Sequence, residues 1–289
     1  MQRRTLRKVI TVSVAAVTVL ASATTAVGAT SPNAPASGQP QPTAAAQRAG
    51  IAAPGQAYMG WSTHSTPPSS TAQVPVTQTQ TTVTQTQGMD VASYQGNVAW
   101  QTWYNSGMRF AYVKATEGTS YTNPYFAQQY NGSYHVGMIR GSYHFALPGN
   151  SAGATQADYF IAHGGGWSAD GKTLPGALDI EYNPYGATCY GLSQASMVSW
   201  IHAFSNRYKA VTSRDPVIYS TTDWWTTCTG NSTGFNTVNP LWVARYAATV
   251  GTLPGGWPYQ TIWQYTSDGG MDKNWFNGAY SQLQAFARG

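Results

Sequence analysis

The chain has 289 residues, of which 9% are charged and 13% aromatic, with a formal net charge of +5. That charge does not point to an acidic partner. Arg3, Arg4, Arg7, Lys8 and Arg48 are the only charged residues before Gly88, and the remainder sums to zero. Nucleic acid is therefore not implied as a ligand, and the length bounds the chain to one large or two small domains.

Met1 to Ala29 reads as a secretion signal: a basic start, an apolar run from Val9 to Leu20, and the small residues Val27-Gly28-Ala29 for cleavage. The run is too short and too rich in Ala and Thr to span a membrane, so no membrane insertion is expected after cleavage. Arg3-Arg4 leaves a twin-arginine route open beside the general one. From 30 to 87 the composition is Ala, Pro, Ser, Thr and Gln with a single charge and no sustained period, which predicts a disordered linker. Tyr58, Met59 and Trp61 form a small apolar cluster inside it that could dock on the domain. The folded unit is expected over 88–289, enough for one barrel-sized core.

Within that unit the pattern alternates. Strands are predicted at Met89–Ala92, Phe110–Ala115, Met138–Phe145, Leu174–Glu181 and Pro216–Tyr219. Helices are predicted near Val98–Ser106, Pro124–Tyr134, Ser151–Ala162 and Leu192–Lys209. After the fifth strand the long helices are expected to stop, leaving strands at Leu241–Tyr246, Ile262–Tyr265 and near Gly270–Asp272. Such alternation predicts an α/β fold: a single TIM-like barrel of five β/α units followed by three strands. Chemistry in such barrels sits at the C-terminal strand ends, where Asp90, Lys114, Tyr143, Asp179, Glu181 and Asp272 fall by position.

The densest chemical signal is Leu178-Asp179-Ile180-Glu181, a strand ending on two acids. Side chains two apart share a strand face, so both carboxyls project together. Neighbouring acids with different surroundings hold different pKa values, and a protonated acid beside an anion can cleave an acetal. Glutamate occurs only at Glu117 and Glu181, which argues against a decorative role for the latter. Abundant Trp and Tyr with little charge suits a protein that stacks on sugar rings, although most of these aromatics belong to a core. The two cysteines, Cys189 and Cys228, are expected to pair in an exported protein, closing a loop of about 40 residues worth about 3–4 kcal/mol. The scattered histidines show no ligand spacing; neither a metal nor another cofactor is expected.

Asp90-Val91-Ala92-Ser93-Tyr94-Gln95-Gly96 with Trp100 resembles the opening motif of glycoside hydrolase family 25, the Chalaropsis-type lysozymes. Lys114-Ala115-Thr116-Glu117-Gly118, Gly141-Ser142-Tyr143-His144-Phe145, Leu178-Asp179-Ile180-Glu181, Trp242-Val243-Ala244-Arg245-Tyr246, Trp263-Gln264-Tyr265 and Met271-Asp272-Lys273-Asn274 continue the resemblance in order through 88–289. It implies a secreted muramidase cleaving peptidoglycan after N-acetylmuramic acid, with retention. By the same resemblance Glu181 is the general acid, Asp90 and Asp179 are the paired carboxylates beneath the sugar, and Asp272 is a fourth acid at the pocket. Tyr94, Lys114, Tyr143, Tyr219, Trp242, Tyr246 and Trp263 are the expected substrate-binding residues. The expected partner is the glycan strand of the bacterial wall, met by a monomer outside the cell or on the wall.

Two alternatives compete. A chitinase-like barrel also carries Asp-x-Glu on its fourth strand, but it needs further aspartates where Leu174 and Ala177 stand here. A non-catalytic wall-binding module would keep the aromatics but gain nothing from clustered anions.

Overall fold

The computed structural model describes residues 40–63, 84–268 and 270–289. The expected signal at Met1–Ala29 lies outside them, as do 30–39 and 64–83 of the expected linker. Nine strands form one sheet: β1 (Thr86–Val91), β2 (Phe110–Glu117), β3 (Tyr121–Thr122), β4 (Ile139–Phe145), β5 (Ala177–Asp179), β6 (Val217–Ser220), β7 (Leu241–Ala244), β8 (Ile262–Asp268) and β9 (Met271–Phe276). Their order is β1-β9-β8-β7-β6-β5-β4-β2-β3, and an additional β1–β2 pairing closes eight of them into a barrel. β3 is a short hairpin partner outside the closed ring, antiparallel to β2. β9 alone among the barrel strands runs against its neighbours, pairing antiparallel with both β1 and β8.

Closure explains the composition of the strands. A barrel strand is covered by side chains inside and by helices outside, so it reads as a continuous buried run rather than an alternating one; all eight residues of β2 are buried. Alternation still assigns faces. Tyr112, Tyr143, Ala177, Val217, Tyr219, Trp242 and Ile262 pack into one interior cluster. Leu178, Ile180, Ile218, Leu241, Val243 and Trp263 belong to the cluster beneath the helices. Gly141 on β4 leaves room for the Tyr112 ring, which a Cβ there would meet at 2.4 Å, and Gly88 on β1 does the same for Phe110 at 2.3 Å.

The helices are α1 (Ala44–Arg48), α2 (Trp100–Asn105), α3 (Phe126–His135), α4 (Gly153–Phe160), α5 (Gln194–Thr212), α6 (Thr222–Thr229) and α7 (Tyr280–Arg288). The longest, α5, starts where the Ser193 hydroxyl accepts from Ser196 N–H and stops at left-handed Ser213. It buries Met197, Trp200, Ile201, Phe204 and Tyr208, which recur at i, i+3, i+4, i+7 and i+11 on one helical face. Tyr208 donates to the Gly165 carbonyl and accepts from Gly176 N–H, which fixes the approach to β5.

Three expectations need correction. Ordered strand four is only Ala177–Asp179, its last ladder bond running from Ile180 N–H to the Tyr219 carbonyl of β6. The end of the chain also differs: α6 after β6, capped by Thr221, completes the fifth expected β/α unit and no helix separates β7, β8 and β9, but an unexpected helix, α7, follows β9. Finally, residues 40–63 do not behave as a disordered linker. Thr43 caps α1, and Ala46, Ile51, Ala57, Tyr58 and Trp61 pack against Ala92, Phe145 and Leu147 of the barrel.

Candidate active site

Both acids of the Asp179/Glu181 pair point inward, while Leu178 and Ile180 point to the helices, as a period of two requires. Asp179 is paired in register with Phe145 on β4 and Tyr219 on β6, at the C-terminal end of the parallel strands. Both residues of the pair are fully buried. No amide, hydroxyl or cationic group donates to either oxygen of Asp179, which leaves Glu181 as its partner. Burial, and then the charge of Glu181, drives the Asp179 carboxyl far above the usual carboxylate range. Burial likewise lifts Glu181 to about 8, against a hydrogen bond from Gly60 N–H that favours its anion. The two carboxyls therefore titrate as one system and keep a proton between them at neutral pH.

Asp90 and Asp272 arrive from the opposite side. They stand directly across from each other on the antiparallel β1–β9 ladder. Asp90 Oδ2 accepts from Gln264 Nε2 at 3.0 Å and from Asn274 Nδ2 at 2.7 Å. Gln264 and Asn274 are themselves paired across β8 and β9, so two facing amides converge on one oxygen. Burial, then the nearby Asp272, raises the Asp90 carboxyl well above its ordinary range, and the two amides oppose that rise. Asp272 Oδ1 accepts from the Tyr246 hydroxyl at 3.0 Å.

The distance between the two halves of the site is bridged by one residue. Gly60 donates its N–H to Glu181 Oε1 at 2.7 Å. On its other side, a Cβ built on Gly60 would lie 2.6 Å from Gln264 Oε1, and Gln264 holds Asp90. Gly60 and the Gln264 amide thus stand between Glu181 and Asp90.

The remaining expected residues divide by place. Tyr143 and Tyr219 are buried in the interior beneath the acids; the Tyr143 hydroxyl accepts from Met59 N–H at 3.4 Å, and the Tyr219 hydroxyl donates to Gln264 Oε1 at 2.7 Å. Lys114 is buried, ion-paired with Glu117 at 2.6 Å, and donates to the carbonyls of Gly55 and Ala57. Tyr94 lies on the rim, 64% exposed, its ring 5.7 Å from that of Tyr58. Trp242 lies deeper than a pocket wall, packed on Tyr112 and Tyr219 with its N–H donated to Asn274 Oδ1 at 2.8 Å. Trp263 differs from the expectation: it packs in the cluster under the helical layer and donates its indole N–H to the Arg245 carbonyl. Inward positions of β8 belong to Ile262 and Gln264 instead.

A groove of about 780 Å³ continues from the mouth, lined by Tyr182, Asp223, Arg245 and Tyr246 on the barrel and by Trp61 and Thr63 of the N-terminal segment. The loop on one side carries Cys189, joined to Cys228 of α6 across a Cα–Cα distance of 5.3 Å. His144 lies behind the site, between Phe160 and Phe204, bonded to Thr116 and Gln156 and held neutral by burial, with its pKa lowered to about 4. Among the described residues no three His, Cys, Asp or Glu side chains are grouped to hold a metal ion.

A closed β/α barrel with four convergent carboxyls at its mouth defines a glycosidase architecture. The sequence pattern of glycosyl hydrolases family 25 matches residues 89–273, and the chain belongs to that family. It is a glycoside hydrolase, a lysozyme by class. It is 56% identical over 213 residues to the N,O-diacetylmuramidase of Chalaropsis sp, spanning 70% of this chain and 99% of that protein. It is 48% identical over 208 residues to lysozyme M1 of Streptomyces globisporus, spanning 70% of this chain and 71% of that one. Among solved structures, the muramidase from Acremonium alcalophilum superposes with a TM-score of 0.69 at 56% identity, covering 70% of this chain and 99% of that one.

Sequence reasoning missed Gln264 and Asn274, whose amides hold Asp90. The signal for them was their inward phase on facing strands, since Asn274 lies two residues from Asp272. Glu117, the other glutamate, is buried with Lys114, Tyr185 and Gly55 N–H as partners.

Proposed function

We propose that the chain is a secreted N-acetylmuramidase that hydrolyses the bond between N-acetylmuramic acid and N-acetylglucosamine in peptidoglycan, acting as a monomer with retention. The observation that carries this reading is the gathering of Glu181, Asp179, Asp90 and Asp272 at one end of the barrel, with Gly60 and Gln264 between Glu181 and Asp90. Glu181, which burial keeps protonated near neutrality, donates to the departing glycosidic oxygen. Asp90, whose anion is stabilised by two fixed amides, faces the positive charge that develops at the sugar carbon. Asp179, driven up by burial and by the charge of Glu181, shares the proton of the pair with it. Asp272, held by Tyr246, lines the same mouth.

Support for the substrate comes from relatives whose names state muramidase activity. Support for export comes from the Met1–Ala29 pattern and from the Cys189–Cys228 disulfide, which suits an oxidising surrounding. No described helix is long and apolar enough to cross a membrane. The test is exhaustive digestion of purified walls followed by borohydride reduction of the new ends. Reduced N-acetylmuramic acid is expected; reduced N-acetylglucosamine, or no new ends, would refute the muramidase reading.

A further inference from the structure

The segment N-terminal to the barrel enters the site. Thr43 N–H donates to the Pro184 carbonyl, α1 follows, and the chain then crosses the mouth. Several of its polar contacts there engage residues of the proposed site. Gly60 N–H is bonded to Glu181 at 2.7 Å, and the Ser62 hydroxyl approaches the other oxygen of Glu181 at 3.5 Å. Lys114 is saturated by the carbonyls of Gly55 and Ala57. Met59 N–H bonds the Tyr143 hydroxyl, and the Met59 side chain is fully buried in the barrel's interior cluster. Trp61 donates its indole N–H to the Tyr182 carbonyl at 3.1 Å along the groove wall. The result is that Glu181, the expected proton donor, is completely sealed from solvent.

We propose that residues 43–63 are a built-in competitor for the glycan, which keeps the hydrolase latent until the segment leaves the cleft. The proposal rests on the assignment of Glu181 as the catalytic acid. Gly60 is the residue on which it turns. It occupies the gap between Glu181 and the Gln264–Asp90 pair, the space the scissile bond needs. Its φ of +79° is one that residues with side chains rarely adopt, and a Cβ would press on Gln264 Oε1 at 2.6 Å and Tyr219 Oη at 3.0 Å. The backbone thus passes the acid at the closest approach a peptide can make. Covalent continuity from Thr63 to Thr84 holds the competitor at an effective concentration on the order of millimolar. Hydrolysis of any peptide bond in that connection, by water with an external protease, makes the contact bimolecular and frees the cleft.

Two readouts on the full-length protein test this. Hydrogen exchange should show the amides of Gly55, Met59 and Gly60 slowed at least 100-fold relative to an unstructured chain, and Gly60→Val should abolish that protection. Clearing of a wall suspension should be at least tenfold slower for the wild-type chain than for Gly60→Val. A full-length chain with a site-specific protease sequence inserted between Thr63 and Thr84 should gain the same factor after cutting. Equal clearing rates for all three, or unprotected amides in the wild type, would overturn the inference. Clearing by none of them would instead refute the muramidase reading, and the exchange result would still decide whether the segment occupies the cleft.

Discussion

Asn274 donates to Asp90 Oδ2 at 2.7 Å while its own oxygen accepts from Trp242 Nε1 at 2.8 Å. The indole bond fixes which way the amide faces, so the amide N–H₂ has to point at the carboxylate. A tryptophan buried below the mouth thereby sets the charge of an acid it never touches. Replacing Asn274 by Ala removes one of two donors that stabilise the Asp90 anion, and its pKa should rise further. Because the reaction needs Asp90 ionised, the acidic limb of the rate–pH profile should move to higher pH. The rate at the optimum should fall about 10- to 100-fold, on the scale of a lost charge-stabilising donor. A profile measured on chains cut between Thr63 and Thr84 reads both effects.

Glu181→Gln keeps an oxygen for Gly60 N–H and removes the transferable proton. Turnover should drop by about 10²–10⁴-fold, the usual share of general acid catalysis. Binding of wall fragments by the cut chain should persist. Loss of binding together with turnover would mean that Glu181 holds the sugar rather than protonating it.

The same variant reports on stability. Glu181 has a folded-state pKa of about 8, above its ordinary 4.5. Between those values the folded state binds more protons than the unfolded one, so stability declines as pH rises. Its contribution is fully present below about 4.5 and lost as pH passes through 8; Asp90 and Asp179 act in the same direction. The full-length chain should therefore melt at a lower temperature at pH 8 than at pH 5. Glu181→Gln should show a shallower decline across that window in differential scanning calorimetry.

Trp263 offers a contrast. Since its ring packs under the helices rather than in the mouth, Trp263→Phe should lower the melting temperature and leave KM for wall fragments unchanged. A changed KM with unchanged melting would return Trp263 to the groove.

How far the sequence carried follows from which interactions a residue pattern encodes. Asp179-x-Glu181 was legible because a period of two is a rigid consequence of strand geometry. The phase of β8 was not. Trp263-Gln264-Tyr265 alternates whichever way it is placed, and a shift of one residue exchanges inside for outside. Only packing of Ile262 into the interior cluster and the bond from Gln264 to Asp90 decide it. The amides themselves drew no attention, since neutral side chains on a strand look like filler until the carboxylate they serve is in view. Residues 55–60 were still harder to read. Their hold on the cleft is through backbone amides and carbonyls, which every sequence possesses and none displays. The cluster of Tyr58, Met59 and Trp61 was the one visible sign, and all three side chains are buried.

Reduction of Cys189–Cys228 should release a 39-residue separation and cost about 3–4 kcal/mol. For a domain of this size that corresponds to a fall of about 6–16 °C in Tm. Thermal melts with and without a thiol reductant measure it, and an unchanged Tm would show that the rim loop is held by its other contacts.

The reversed direction of β9 has a consequence for how the molecule is made. Its neighbours are the first barrel strand and the eighth in chain order, so the ring cannot shut until the last stretch of polypeptide has threaded between them. Asp272, Asn274 and the seat they give Asp90 arrive with that strand. A chain still lacking its final residues holds Glu181 without its counterpart, and the cluster of acids is assembled only in the act of closure, the most non-local event in the fold.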